Sequence, residues 1–219
     1  MVWRKLLFPG GWLGAIAGVA ALLAIVTVLY VPAALAFPYQ AQFGPIKVYS
    51  DTPIPPLLAA RVARADRLLA ASPLHRPGLQ RTLVLTDGGW RWKVMAAGYW
   101  DAVALRRPFS STLLFNRSDV GEDRVANDAR TLSGTIAHET VHILTARKLG
   151  EWRNAGLPAW KREGYADFVA REPNLGTDRA AQIRAQNPSH RVLASVEWRR
   201  QVAEELERNG GSVDRLLAQ

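Results

Sequence analysis

Two histidines and a glutamate lie within five residues of an otherwise apolar stretch, SGTIAHETVHILTARKLG (133–150). His138 and His142 are four residues apart, so in an α-helix they project from one face, about one turn from each other. Two imidazoles at that spacing can bind one divalent metal ion, and Glu139 beside them can hold a water molecule and accept its proton. This HExxH pattern predicts a hydrolytic metal site with His138 and His142 as ligands and Glu139 as general base.

The residues around the pattern predict that this helix is buried. An unpaired buried polar group costs about 1–3 kcal/mol, so a polar stripe inside a core needs a partner, and a metal ion would supply one. The alternative is a surface helix on which the motif is accidental. The flanks argue against it, because both are apolar: Leu132, Ile136 and Ile143 on one side, and Ala137, Val141 and Leu144 on the other.

A catalytic zinc site usually has three protein ligands, and a later segment, LPAWKREGYADFVAREP (157–173), offers the third. The prolines near its two ends predict a helix over 158–171. Glu163 is the most interior carboxylate of that helix, and Asp167 lies four residues further on the same face. If this helix folds back on a helix over 126–149, Glu163 can complete the ligand set and Asp167 can accept the spare N–H of a histidine.

Two motifs, HETVH (138–142) and WKREGYAD (160–167), resemble the gluzincin metallopeptidases, also described as peptidase MA-like, in which a glutamate ligand on the next helix follows HExxH. The W-x-x-E-G-x-A part is similar to that of the M1 aminopeptidase family, and the E-x-x-x-D pair is similar to that of thermolysin. The resemblance implies a zincin-like fold, a Zn²⁺ cofactor bound by His138, His142 and Glu163, and a peptide or protein substrate. It also implies that Asp167 pairs with His138.

The chain departs from these families in two respects. The G-x-M-E-N motif of the aminopeptidases is missing, which argues against their exopeptidase specificity. The families also place a tyrosine or histidine after the glutamate to stabilise the oxyanion, and here no tyrosine follows Tyr165. His190, the only later histidine, is the candidate for that role, and Tyr99 is a weaker one. A catalytically inactive zincin-fold binding protein of the cell envelope is therefore the alternative function.

The elements needed to position this site predict an α+β domain over 46–219, with a small mixed sheet beside the HExxH helix and the glutamate helix. Strands are expected at 46–50, 81–87 and 111–118. A helix is expected at 56–71, since Leu58, Val62, Ala65 and Leu69 recur on one face. By analogy with zincins, 111–118 is expected to be an edge strand that pairs with an extended substrate.

The N-terminal region predicts a membrane anchor. Residues 11–37 carry no charge, and about 20 apolar residues can cross a bilayer as a helix. Arg4 and Lys5 precede the stretch, which predicts a cytoplasmic N-terminus at 1–10, a transmembrane signal anchor at 11–37, a linker at 38–45 and an extracytoplasmic domain, periplasmic in a Gram-negative cell. A cleaved signal peptide, with a small-x-small site at 34–36, is the alternative.

Composition limits the partners. The formal net charge is +9, but the basic residues are spread along the chain and form no basic run with interleaved aromatic residues of the kind a nucleic-acid module shows, so no nucleic-acid partner is expected. The chain has no cysteine, which excludes disulfides, thiolate zinc sites and a cysteine nucleophile. The predicted partners are a peptide or protein substrate and, through the N-terminal helix, the membrane.

Overall fold

Strands and helices alternate in the first half of the chain, and helices dominate the second half. The computed structural model describes residues 9–125, 129–173, 175 and 177–218. The strands are β1 (Tyr39–Phe43), β2 (Ile46–Ser50), β3 (Arg81–Thr86), β4 (Ala104–Arg106), β5 (Thr112–Asn116), β6 (Ser118–Asp119) and β7 (Arg124–Val125). The helices are α1 (Pro9–Tyr30), α2 (Leu57–Leu69), α3 (Trp90–Ala96), α4 (Leu132–Leu149), α5 (Glu151–Gly156), α6 (Ala159–Ala170), α7 (Thr177–Gln186), α8 (Arg191–Arg208) and α9 (Val213–Leu217).

Within the described residues, one five-stranded sheet has the order β1-β2-β3-β5-β4. Its three inner strands, β2, β3 and β5, are parallel, and β1 and β4 pair with them antiparallel at the two edges. β6 and β7 form a separate two-stranded ribbon. The strand predicted at 46–50 is confirmed as β2, and those at 81–87 and 111–118 are present as the shorter β3 and β5.

The helix α2 packs in the main core, which also contains buried residues of β2, β3 and β5. Leu58, Val62, Ala65 and Leu69, the face expected from their spacing, are all buried in the main core, which confirms the predicted helix. Full burial of each large apolar side chain stabilises the fold by about 1.5–3 kcal/mol. α2 packs in turn against α4 and α6, so the sheet, α2 and the two motif helices share one core.

The motif helix α4 is shorter than the predicted helix over 126–149, of which 126–128 lie outside the described residues. It begins at Leu132 because Thr131 is its N-cap: the Thr131 hydroxyl accepts a hydrogen bond from the Gly134 N–H. The Asp123 carboxylate accepts two more bonds, from the Ser133 N–H at 2.8 Å and from its hydroxyl at 2.6 Å. Every residue from 132 to 146 is buried, as the apolar flanks predict.

The segment 111–118 is not an edge strand, so the expectation that it pairs with substrate is wrong. β5 within it lies between β3 and β4, and both of its edges are used in the sheet. Among the described residues, the edge strands of this sheet are β1, which pairs with β2, and β4, which pairs with β5. Sequence periodicity indicates a strand but not its place in a sheet, since order is set by tertiary packing.

The predicted membrane anchor over 11–37, and the single-pass extracytoplasmic placement that depends on it, are wrong. In the part of the chain that the structure describes, no helix has both the length and the apolar character needed to cross a membrane. The uncharged stretch does not form one continuous helix: α1 ends at Tyr30 and a 3-10 turn follows at Pro32–Leu35. Leu35 and Phe37 then pack in a second core cluster with Trp92 and Leu114.

The predicted linker at 38–45 is also replaced by regular structure. Residues Tyr39–Phe43 form β1, which pairs antiparallel with β2 through a tight turn. Gly44 in that turn has a φ of 56°, a conformation that glycine adopts without strain. Gly44 and Pro45 therefore form the turn of a hairpin.

Candidate metal centre

The two motif helices, α4 and α6, bring the three predicted ligands together. The Nε2 atoms of His138 and His142 are 3.1 Å apart, and Oε2 of Glu163 lies 3.4 Å from the first and 3.3 Å from the second. Three ligand atoms held 2.0–2.1 Å from an ion in a tetrahedral site lie about 3.4 Å from one another. The separations match that spacing, so these residues form a group that can hold a metal ion.

The approach of α6 to α4 has a local cause in the connection between them. α4 ends at Leu149, and its C-cap residue Gly150 has a φ of 84°, which lets the chain turn into the short helix α5. Pro158 then stands at the N-cap of α6, where the missing N–H of proline costs nothing. Glu163 lies one turn into α6. Its second oxygen, Oε1, accepts a 2.8 Å bond from Nε of Arg162, which leaves Oε2 directed at the histidines.

Asp167 holds the far side of His138. Its Oδ1 is 2.8 Å from Nδ1 of His138, and its side chain is completely buried. In the tautomer that donates from Nδ1 to the carboxylate, Nε2 of His138 has its lone pair available for an ion. The pairing implied by the family resemblance is therefore the one that the geometry places at the site.

The buried charges perturb one another strongly. Burial lowers the pKa of His138, but the Asp167 carboxylate, aided by Glu163 and Glu139, raises that pKa to about 10. Burial raises the pKa of Glu163, and its bonds to the two histidines lower that pKa well below the usual range. Burial also raises the pKa of Asp167, which His138 and Arg130 lower in turn. The raised pKa favours the doubly protonated form of His138 in the metal-free site, and a bound metal ion would take the place of the proton on Nε2.

A cavity of about 290 Å³ opens beside the ligands. Glu139 lines it together with His138 and Glu163, and the described residues offer the Glu139 carboxylate no hydrogen-bond or ion-pair partner. A carboxylate beside, but not among, the ligands is placed to hold a water molecule and accept its proton. Glu139 therefore lies at the cavity beside the ligands, and its role as general base stays a prediction.

Two further elements complete the cavity wall. One is Ala104, the first residue of the edge strand β4, together with the two residues before it, Ala102 and Val103. The other is α8, which lies against α6 and presents Arg191, Ala194, Ser195 and Trp198 to the cavity. The spacing of these four α8 residues follows one helix face.

Gly164 lies where α6 packs closely against α8. A Cβ at Gly164 would lie 2.6 Å from the backbone oxygen of Trp198. The contact that excludes a side chain is therefore between α6 and α8. It holds the first turns of α8 against the metal-binding helix.

The structure does not bring the two oxyanion candidates to the cavity. His190 is an exposed residue at the N-cap of α8, where its Nδ1 accepts a bond from the Val192 N–H. Tyr99 is 70% exposed and is not among the cavity-lining residues. Among the described lining residues, the cations are Arg130 and Arg191, neither of which sequence reasoning selected.

Sequence reasoning also missed Arg130 and Arg162, which hold the carboxylates of Asp167 and Glu163. Arg162 adjoins a predicted ligand, so its position was a usable signal. Arg130 lies 37 residues from Asp167 along the chain, and no spacing rule connects the two. The α8 wall had a detectable signal in its i, i+3, i+4, i+7 spacing, but this does not say which element the face meets.

Comparison with protein family models, with curated proteins and with solved structures finds no match to this chain.

Proposed function

We propose that this chain is a zinc-dependent peptidase of the gluzincin type. The observation that carries the proposal is the set of separations, 3.1 to 3.4 Å, between Nε2 of His138, Nε2 of His142 and Oε2 of Glu163. Two imidazoles and one carboxylate form the ligand set of many hydrolytic zinc sites. The motif resemblance and the position of Glu139 beside the ligands support the same class of reaction.

A bound Zn²⁺ would supply a Lewis acid and a water molecule of lowered pKa. Glu139 would accept the proton of that water during attack on the peptide carbonyl and donate it to the leaving amine. Asp167 keeps His138 in the tautomer that presents Nε2 to the ion. The free edge of β4 offers main-chain groups to an extended substrate next to Ala104.

Arg191 is our proposed source of positive charge for the oxyanion, in place of the tyrosine or histidine of related enzymes. It lines the cavity on the α8 face that also carries Ala194 and Trp198. A cation at a developing negative charge stabilises the transition state more than the ground state. An Arg191→Ala variant should therefore lower kcat while its zinc content stays equal to that of the wild type.

The test of the proposal compares the wild type with Glu139→Gln on a peptide library, alongside zinc analysis of both proteins. Removal of the general base should lower hydrolysis by about 10²–10⁴-fold, and zinc content should stay near one equivalent. His142→Ala is the matched variant that should lose both zinc and hydrolysis. Cleavage by Glu139→Gln at the wild-type rate would refute the mechanism.

The second candidate function is a zincin-like protein that binds a peptide without cleaving it. The observation that favours it is the lack of a tyrosine or a non-ligand histidine among the described cavity-lining residues. Under this alternative, wild type and Glu139→Gln bind zinc and peptide equally well and neither releases fragments. Mass spectrometry of the incubated library therefore separates the two functions.

A further inference from the structure

The buried carboxylate of Asp167 is held by more than His138. Nη2 of Arg130 lies 2.9 Å from Oδ1 and 3.0 Å from Oδ2 of Asp167, and Nε of Arg130 lies 3.2 Å from Oδ1. Asp167 has no exposed side-chain surface and Arg130 is 14% exposed. Both carboxylate oxygens are thus engaged by one planar guanidinium, which fixes the plane of the carboxylate.

Arg130 is itself fixed from another direction. Its Nη2 also donates to Oγ of Ser195, at 3.1 Å, on the first turns of α8. Arg130 lies in the segment just before α4, Asp167 lies on α6 and Ser195 on α8, so one guanidinium joins three elements around the cavity. All three residues are close to the ligand His138, but none is a ligand.

The fixed carboxylate of Asp167 determines the orientation of the His138 imidazole. A carboxylate free to turn about its Cβ–Cγ bond would offer its oxygens to Nδ1 at varying distance and angle. With Arg130 across both oxygens, Oδ1 stays 2.8 Å from Nδ1, and the imidazole plane is held with Nε2 toward His142 and Glu163. Partners of this kind typically change metal affinity by 10–100-fold.

We propose that Arg130 is a positioning residue of the metal site: it locks the Asp167 carboxylate onto Nδ1 of His138 and ties that ligand to α8 through Ser195. The inference rests on the proposed metal site but not on peptidase activity. A purely structural ion pair is the competing role. It would affect the stability of the fold without a specific effect on the ion.

The test measures zinc dissociation constants of the full chain by competition with a chromophoric chelator, at fixed pH and salt. Arg130→Ala is expected to weaken zinc binding by about 10-fold or more, as is Asp167→Asn. Arg130→Lys keeps the charge but not the planar fork, so an intermediate loss is expected. Ser195→Ala, a smaller perturbation, should weaken binding severalfold, and it provides a measurement if Arg130→Ala does not fold.

A double-mutant cycle identifies the route of the effect. In the Asp167→Asn background, Arg130→Ala should change zinc affinity by less than about twofold, because the carboxylate through which it acts is already gone. The visible absorption bands of the Co²⁺-loaded protein should change in Arg130→Ala, since they report ligand geometry. The matched control is Arg91→Ala, which breaks a similarly buried pair with Asp51 away from the site and should change neither readout.

Wild-type affinity and an unchanged Co²⁺ spectrum in Arg130→Ala would overturn the inference. The inference would also be overturned if Arg130→Ala lowered zinc affinity as much in the Asp167→Asn background as it does in the wild type. A wild-type chain that binds no divalent metal would overturn this inference and the proposed function together. A chain whose zinc affinity depends on Arg130 and Asp167 as expected, but which cleaves no peptide, would overturn the proposed peptidase activity alone.

Discussion

The metal-free protein is expected to lose stability as the pH rises from 6.5 to 9, and the zinc-loaded protein is not. The cause is His138, whose pKa in the folded metal-free state is about 10, against about 6.5 in an unfolded chain. A raised pKa stabilises the fold fully below the unfolded value, and that contribution is lost as the pH climbs toward 10. Between pH 6.5 and 9 the loss should reach about 3 kcal/mol.

Bound zinc removes the dependence of stability on the protonation of His138. A histidine ligand must be neutral, so the loaded fold holds no proton on His138 to lose, and the unfolded chain has already lost its own above pH 7. Tighter zinc binding at higher pH then offsets the falling stability of the metal-free fold. The free energy of unfolding of the loaded protein should therefore stay nearly level from pH 7 to 9.

The measurement is urea unfolding followed by tryptophan fluorescence at pH 6.5, 7.5 and 9, once with chelator and once with stoichiometric zinc. Asp167→Asn is the matched control, because the Asp167 carboxylate is the strongest influence raising the pKa of His138. Its metal-free form should lose less than half as much stability as the wild type over this range. A metal-free wild type that is equally stable, or more stable, at pH 9 would refute the reasoning.

Three further outcomes are expected. Glu163→Gln should weaken zinc binding by at least 100-fold in a chelator competition, because an amide is a poor ligand, and unchanged affinity would remove Glu163 from the ligand set. Gly164→Ala should lower the free energy of unfolding by about 1–3 kcal/mol, since its Cβ meets the Trp198 backbone at 2.6 Å, whereas Gly18→Ala, with open space around it, should cost nothing. His190→Ala should leave peptide cleavage at the wild-type rate, and a loss of more than tenfold would show that this residue reaches the substrate.

The local pattern around the site could be predicted because helix geometry alone decides it. The four-residue spacing of His138 and His142 places both imidazoles on one face whatever surrounds the helix. The same holds for Glu163 and Asp167, which both turned out to face α4. For these residues, sequence spacing and spatial proximity are nearly equivalent.

The N-terminal region shows where local reasoning fails. An uncharged stretch predicts an apolar environment, but it does not say which apolar environment is available. Here Leu35 and Phe37 pack beside Trp92 in the domain, and Tyr39–Phe43 pair with β2. Which apolar environment the stretch occupies depends on the surfaces that the rest of the folded chain presents to it.

By itself, the sequence determined the two half-sites: HETVH on one helix and EGYAD on another, each with its polar groups on one face. Only the tertiary structure decided that β4, not 111–118, lines the cavity, that α8 forms its other wall, and that Arg130 holds Asp167. The physical reason is range. Helical periodicity relates residues three or four positions apart. The place of a strand at the edge of a sheet, and the bond from Arg130 to a residue 37 positions later, depend on how separate elements pack.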